Sequence, residues 1–256
     1  RTPFLFHWKL LYFWKQKIDC SKNFSLSHQI HSIQNDTIIK MTVMVFDLET
    51  TGFIESNPYI VSIAYELYDD SLSTLEEEYY TVVAPPSEDY VFPQGSVDVH
   101  GITTEYAREH GVDVRLVLNK LHEVFDKHKV TRIVAHNIKF DIGVLSLQMN
   151  RLDKGDSKGR NLKDKMFNIE GYCTMLNTIE MVSIYRTTKT GRKYKKYPKL
   201  IELYKHLFGD EDFNAHNARD DVKACVKCYI ELMKSPLNKW MNEQIKRKWM
   251  NPYLTL

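Results

Sequence analysis

Three strand-like segments follow one another between residues 42 and 84 with only short spacers between them. Residues 42–48 are mostly apolar. Residues 59–68, YIVSIAYELY, place Tyr59, Val61, Ile63, Tyr65 and Leu67 on one face by strict alternation. Residues 77–84, EEYYTVVA, form the third segment and stop at Pro85 and Pro86. Strands this close in sequence predict an antiparallel meander. Behind the meander the period changes. Val114, Val117, Leu118, Leu121, Val124 and Phe125 recur at helical spacing over 113–128. RIVA at 132–135 reads as a short buried strand that runs into a helix over about 138–150. The polar stretch 151–165 is expected to be an exposed loop. Helices are expected over 173–185, 199–208 and 218–233. Together these elements predict an α/β layered domain whose mixed sheet joins the antiparallel meander to parallel strands, flanked by helices.

At 256 residues the chain fits one large domain with appendages. Residues 41–235 are expected to form that domain. Residues 1–40, rich in aromatics and poor in acids, are expected to be a poorly ordered extension without chemistry, and 236–256 a C-terminal tail. The net charge of +2 does not by itself mark a nucleic-acid binder. No run approaches about 18 apolar residues, so no membrane partner is expected. The four cysteines lack the spacing of a secreted framework, which favours an intracellular protein. Cys225 and Cys228 have no second pair to complete a zinc site, and Cys225 lies on the apolar stripe of its helix, so core packing accounts for them.

Acids sit where the apolar segments end. In VMVFDLETTGF, residues 43–53, Asp47 and Glu49 are two apart on a strand and so share a face. Like charges placed side by side repel unless one is protonated or a cation lies between them. In AHNIKFD, 135–141, Asn137 suits a helix N-cap and Asp141 falls in the first turn, where the helix dipole favours an acid. In HNARDDVKA, 216–224, His216 and Asp221 would lie about 140° apart on one continuous helix. They converge only if His216 is in the loop before the helix, with Asn217 as the cap. Each stretch alone also has a structural explanation: a solvated strand end, a favourable helix start, a surface acid. If the three ends meet, four carboxylates share one pocket, and oxygen ligands of this kind call for Mg²⁺ or Mn²⁺. Two such ions form a clamp for in-line phosphoryl transfer, with His216 suited to take a proton from water.

With these motifs in order, the sequence resembles the DEDDh branch of 3′→5′ exonucleases, which have a ribonuclease H-like fold and include the proofreading epsilon subunits of bacterial replicative polymerases. FDLETTG carries Asp47 and Glu49, AHNIKFD carries Asp141, and HNARDD carries His216 and Asp221. The resemblance implies two metal ions per site. Asp47 would bridge them, Glu49 and Asp221 would hold the ion nearest the attacking water, and Asp141 would support the other. His216 would be the general base. It further implies that Thr50, Thr51 and Gly52 hold the terminal nucleotide, and that His100, Ile102, Asn137 and Phe140 contact its sugar or base.

The stretch 185–199, YRTTKTGRKYKKYPK, carries Arg192, Lys193, Lys195 and Lys196 among further cations, with interleaved tyrosines and no acid. A flexible basic loop of this kind suits a single-stranded tail. The expected partner is nucleic acid with a free 3′ end, DNA favoured over RNA, with a DNA polymerase as a possible protein partner. An exoribonuclease and an inactive nucleic-acid-binding module are the alternatives.

Overall fold

In the computed structural model, which describes residues 42–152, 157–209 and 211–234, the meander forms as its spacing predicts. Strands β1 (Thr42–Thr50), β2 (Ile60–Asp69) and β3 (Leu75–Val82) pair antiparallel in sequence order. A segment with two short helices follows, α1 (Gln94–His100) and α2 (Thr104–His110), then α3 (Val114–His128). β4 (Val130–Ala135) pairs parallel to β1 on its other side, and α4 (Ile138–Leu152) leaves its carboxyl end. α5 (Ser157–Asn168) precedes β5 (Glu170–Cys173), which pairs parallel to β4. The sheet order is β3-β2-β1-β4-β5, a ribonuclease H-like mixed sheet with β1 at its centre. The short helices α6 (Thr174–Asn177) and α7 (Ile179–Val182) come next. They lead into a separate hairpin of β6 (Tyr185–Thr187) and β7 (Lys193–Lys195), then α8 (Leu200–Phe208) and α9 (Ala218–Lys234).

Alternation along β1 sorts its side chains between two cores. Met44, Phe46 and Leu48 pack with Ile63, Tyr65 and Leu67 against α3 and α4, through Val117, Leu121, Val124, Val144 and Leu145. Val43, Val45 and Ala64 meet Val222, Cys225, Val226 and Tyr229 of α9 on the opposite face. The two acids of β1 occupy odd positions, so they belong to the α9 face. Because β1 and β4 are parallel, their carboxyl ends lie at the same edge, where loops of an α/β sheet converge on a ligand.

Three expectations need correction, and two short helices add to them. The polar stretch 151–165 is largely helix: Leu162 and Met166, four residues apart, are buried against the core and hold α5 in place, a stripe too thin to stand out among lysines and asparagines. Residues 173–185 do not form one helix. Thr178 breaks it with φ −118° and ψ 5°, leaving two single turns, and Tyr185 already belongs to a strand. Helices α1 and α2, seven residues each, are too short to show a period. The basic stretch is a paired hairpin and not a flexible loop: Tyr185 stands opposite Lys195 and Thr187 opposite Lys193. The expected extension 1–40 and tail 236–256 lie outside the described residues.

Candidate active site

The carboxyl end of β1 is shaped by a register shift in its pairing with β2 between Glu49 and Thr50. Up to that point Asp47 faces Ala64 and Glu49 faces Ser62; beyond it Thr50 faces Ile60. A bulge of this kind turns the chain out of the ladder and re-aims side chains. Loop 51–59 is then closed by two hydrogen bonds. The Thr51 N–H donates to the Tyr59 carbonyl (3.0 Å), and the Tyr59 N–H donates to Thr51 Oγ1 (2.9 Å). Thr50 Oγ1 donates to the Gly52 carbonyl at 2.8 Å. Gly52 has φ 157°, a torsion that L side chains rarely adopt, so the turn favours the bare backbone there. Thr51 is therefore buried and occupied with closing the loop. Next to Gly52, Phe53 is 79% exposed. Nothing in the spacing of the sequence separates this ring from a buried phenylalanine.

Asp47, Glu49 and Asp221 each present a carboxylate oxygen, all within 4.8 Å of one another. Two come from β1 and the third from the first turn of α9, which packs on the same sheet face. Asp141, 2% exposed in the first turn of α4, stands outside that trio. Its carboxylate receives backbone hydrogen bonds from Leu48 and from Asp141 itself, so it reaches β1 from the other face. Its charge nevertheless acts on Asp47. Burial, then the charges of Asp141, Asp221 and Glu49, hold the Asp47 carboxyl well above the usual carboxylate range. Burial followed by the charge of Asp221 pushes Glu49 up to about 7. Burial is also the main cause that raises Asp141 to about 8, with Glu49 adding to it. Asp221 rises to about 6 through burial, opposed by a hydrogen bond from the His216 backbone.

Such a cluster is unfavourable as bare anions. A hard divalent cation bound by oxygen ligands reverses the sign of every one of these interactions, and the donor set fits it.

The third motif folds as its spacing requires. His216 lies in the loop ahead of α9 in the left-handed region (φ 69°), and its N–H donates to Asp221 Oδ2 at 3.0 Å. Asn217 Oδ1 accepts from the Arg219 N–H at 3.1 Å, the side-chain cap expected of it. The His216 side chain is exposed. Asp220 is turned toward the loop, where Asn214 Nδ2 donates to it at 3.3 Å.

The remaining sequence candidates are more dispersed. Asn137 is also left-handed (φ 72°), and its carbonyl accepts from the Phe140 N–H at 2.8 Å, so it forms the turn into α4. Phe140 packs on the larger core. The α1–α2 segment packs through Phe92, Val97, Ile102 and Ala107 on Val61 and Val82, beside the acid end of β1. Within it His100 is buried, with Nδ1 accepting from the Ile102 N–H at 3.1 Å and Nε2 left without a partner. Burial lowers its pKa to about 4, so the ring is neutral and Nε2 carries an unused donor. In the hairpin, Lys195 pairs with Glu180 and Lys196 with Glu202, so these two sequence candidates are already neutralised. Arg192 and Lys193 have no acid within ion-pair distance among the described residues.

No helix among the described residues is long and apolar enough to cross a membrane.

Comparison with known proteins places this geometry in a family. Exodeoxyribonuclease I of Buchnera aphidicola subsp. Schizaphis graminum (strain Sg) is 24% identical over 197 residues, covering 73% of this chain and 38% of that protein. Among solved structures, E. coli exonuclease I with a dA16 oligonucleotide superposes with a TM-score of 0.58 at 18% identity, over 79% of this chain and 43% of that one. A zinc-bound complex of the same E. coli enzyme with single-stranded DNA gives 0.60 at 19% identity, over 79% of this chain and 43% of that one. The chain spans less than half the length of these relatives. The RNase T family model, described as an exonuclease, matches residues 44–229. That interval runs from β1 into α9 and holds every acid of the cluster, so the chain belongs to the RNase T exonuclease family.

Proposed function

We propose that this chain is a divalent-metal-dependent 3′→5′ exonuclease that removes nucleoside monophosphates from single-stranded or frayed 3′ ends, with DNA as the preferred substrate. The observation that carries the reading is the trio Asp47, Glu49 and Asp221, drawn within 4.8 Å at the carboxyl end of the central strand. Similarity to exonuclease I of E. coli, seen with DNA in two structures, supports the choice of DNA.

In this reading Asp47, Glu49 and Asp221 would hold the cations, with Asp141 supporting them. Two Mg²⁺ or Mn²⁺ ions, when bound, supply positive charge to the attacking and leaving oxygens. The exposed His216 imidazole takes a proton as water attacks the terminal phosphorus. The bond from that phosphorus to the 3′ oxygen of the preceding nucleotide breaks, which releases a nucleoside 5′-monophosphate, and the departing oxygen takes a proton from solvent to leave a new 3′ hydroxyl. The Thr50–Gly52 turn offers backbone to the terminal nucleotide, and the Phe53 ring offers a stacking surface for its base. Thr51, Asn137 and Phe140 act by shaping the turns around that position, and His100 and Ile102, on the segment packed beside the acid end of β1, are proposed to contact its sugar or base.

End-labelled single-stranded DNA and RNA of matched sequence, incubated with Mg²⁺, Mn²⁺ or chelator, test the proposal. Release from the 3′ end of DNA, faster than from RNA and abolished by chelator, is expected. Faster release from RNA would move the assignment to an exoribonuclease, and tight binding with no release to a binding module. The narrower role of proofreading beside a polymerase predicts that a mispaired 3′ nucleotide leaves well ahead of a paired one.

The hairpin is proposed to hold the single-stranded tail. Its exit is tied to the acid edge of the sheet: His136, just beyond β4, contacts the Pro198 carbonyl through Nε2 at 2.9 Å and Thr174 Oγ1 through Nδ1 at 2.9 Å. Tyr185 and Tyr197 are each 60% exposed and offer stacking faces. Replacing Arg186, Lys189, Arg192 and Lys193 together by Gln should raise KM on a long oligonucleotide about tenfold or more at low salt and flatten its salt dependence. A KM unchanged at both low and high salt would reject the hairpin's role.

A further inference from the structure

The sheet face that carries the acids continues past them across two more strands. Asp47 pairs with Ala64 on β2, and Ala64 pairs with Tyr80 on β3. One step along, Glu49 pairs with Ser62 and Ser62 with Val82. Directly paired residues project to the same side of a sheet. Tyr80 therefore shares the face of the acids, two strands and about 10 Å away. Only the short side chains of Ala64 and Ser62 lie between.

Arg219 crosses to this row from above. It sits in the first turn of α9, two residues before Asp221, and its guanidinium carbon lies 4.7 Å from the centre of the Tyr80 ring. It is exposed, and no acid among the described residues lies within ion-pair distance of it. A cation on the same helical turn as Asp220 and Asp221 that stacks on a ring instead of bridging to a carboxylate keeps its fork of donors unused. Guanidinium groups held in this way suit bidentate contact with a phosphate.

We propose that Arg219, oriented by Tyr80, binds a phosphodiester of the substrate other than the one being cut. This deepens the exonuclease reading and rests on it. The acids attract metal and repel the nucleic-acid backbone, so a fixed positive charge one step along the same face offsets that repulsion and sets the strand's path into the site. Arg219 acts here as a positioning residue, with its effect on binding.

Substrate length separates this role from a structural one. On an oligothymidylate of eight nucleotides, Arg219→Gln should raise KM about tenfold, with kcat changing much less, and reduce the salt slope by about one. On a dinucleotide without a 5′ phosphate, which carries only the scissile linkage, the same variant should keep the wild-type KM. Tyr80→Leu, which removes the stacking surface, should reproduce part of the loss, and Tyr80→Phe should not. Arg115→Gln, which removes an exposed charge paired with Asp113, serves as the control for net charge.

Equilibrium binding of a fluorescent octathymidylate to Asp47→Asn, with and without Arg219→Gln, gives a readout that needs no cleavage. About tenfold weaker binding in the double variant supports the proposal. Equal affinities, or an equal rise in KM on the octamer and the dinucleotide, would overturn it. A wild-type protein that binds the octamer through Arg219 but releases no nucleotide would overturn the exonuclease reading and leave the phosphate contact standing.

Discussion

Replacing Asp47 by Asn should lower nucleotide release by about 10⁴-fold while making the metal-free protein more stable. Asn has nearly the shape of Asp, so the packing of β1 against α9 survives the change. What disappears is the charge on which three other carboxylates act. A cation would lose a central ligand, and the remaining acids would lose the neighbour that most disfavours their ionisation. Relief of that repulsion should raise the melting temperature in chelator by about 3–6 °C for a domain of this size. The two shifts have opposite signs, which separates a functional residue from one whose loss unfolds the chain. Activity within tenfold of wild type, or a melting temperature that falls, would remove Asp47 from the centre of the site.

The second large effect is on stability and carries a definite sign with pH. Glu49, Asp141 and Asp221 titrate in the folded chain at about 7, 8 and 6, against ordinary values of 4.5, 3.8 and 3.8. Below about pH 4 the folded and unfolded chains are both protonated at these positions and there is no penalty. As pH rises, the unfolded chain releases its protons first, so stability falls until the folded carboxyls ionise in turn. Glu49 alone accounts for about 3 kcal/mol across its window.

Two buried histidines act in the opposite direction, but lower down. His100 and His136 are both depressed to about 4 by burial, so they destabilise the fold only as pH drops below about 6.5. Measurements between pH 7 and 8.5 therefore isolate the acids. Denaturant midpoints in chelator should correspond to a loss of about 2 kcal/mol or more over that range. Saturating Mg²⁺ should abolish most of the slope, since a bound cation favours the ionised form. A flat profile in chelator would mean that the carboxylates are not crowded as described.

Much of this arrangement was legible in the sequence because it follows from local rules. An apolar run located β1, alternation located β2, helical period located α3 and α9, and the five-residue gap between His216 and Asp221 required a loop before the helix. What escaped was set by contacts between distant segments. Leu162 and Met166 turn a polar run into α5 only because α3 and α4 wait to cover them. Lys195 and Lys196 read as free cations until Glu180 and Glu202 are brought beside them by the hairpin's return. Thr51 looked like a ligand contact, yet its hydroxyl closes a loop to Tyr59, eight residues on. The row from Asp47 through Ala64 to Tyr80 is a matter of strand register, which composition and periodicity leave open.

The left-handed backbone at His216 bears on how its role can be measured at all. Histidine, asparagine and aspartate tolerate that conformation better than most residues, and a β-branched side chain there is an outlier. Valine or threonine at this position would disturb the turn that delivers Asp221, so a slow enzyme would report displaced scaffolding as much as a missing imidazole. Asparagine keeps the torsion and discards the ring, which makes it the cleaner probe of proton transfer at this position.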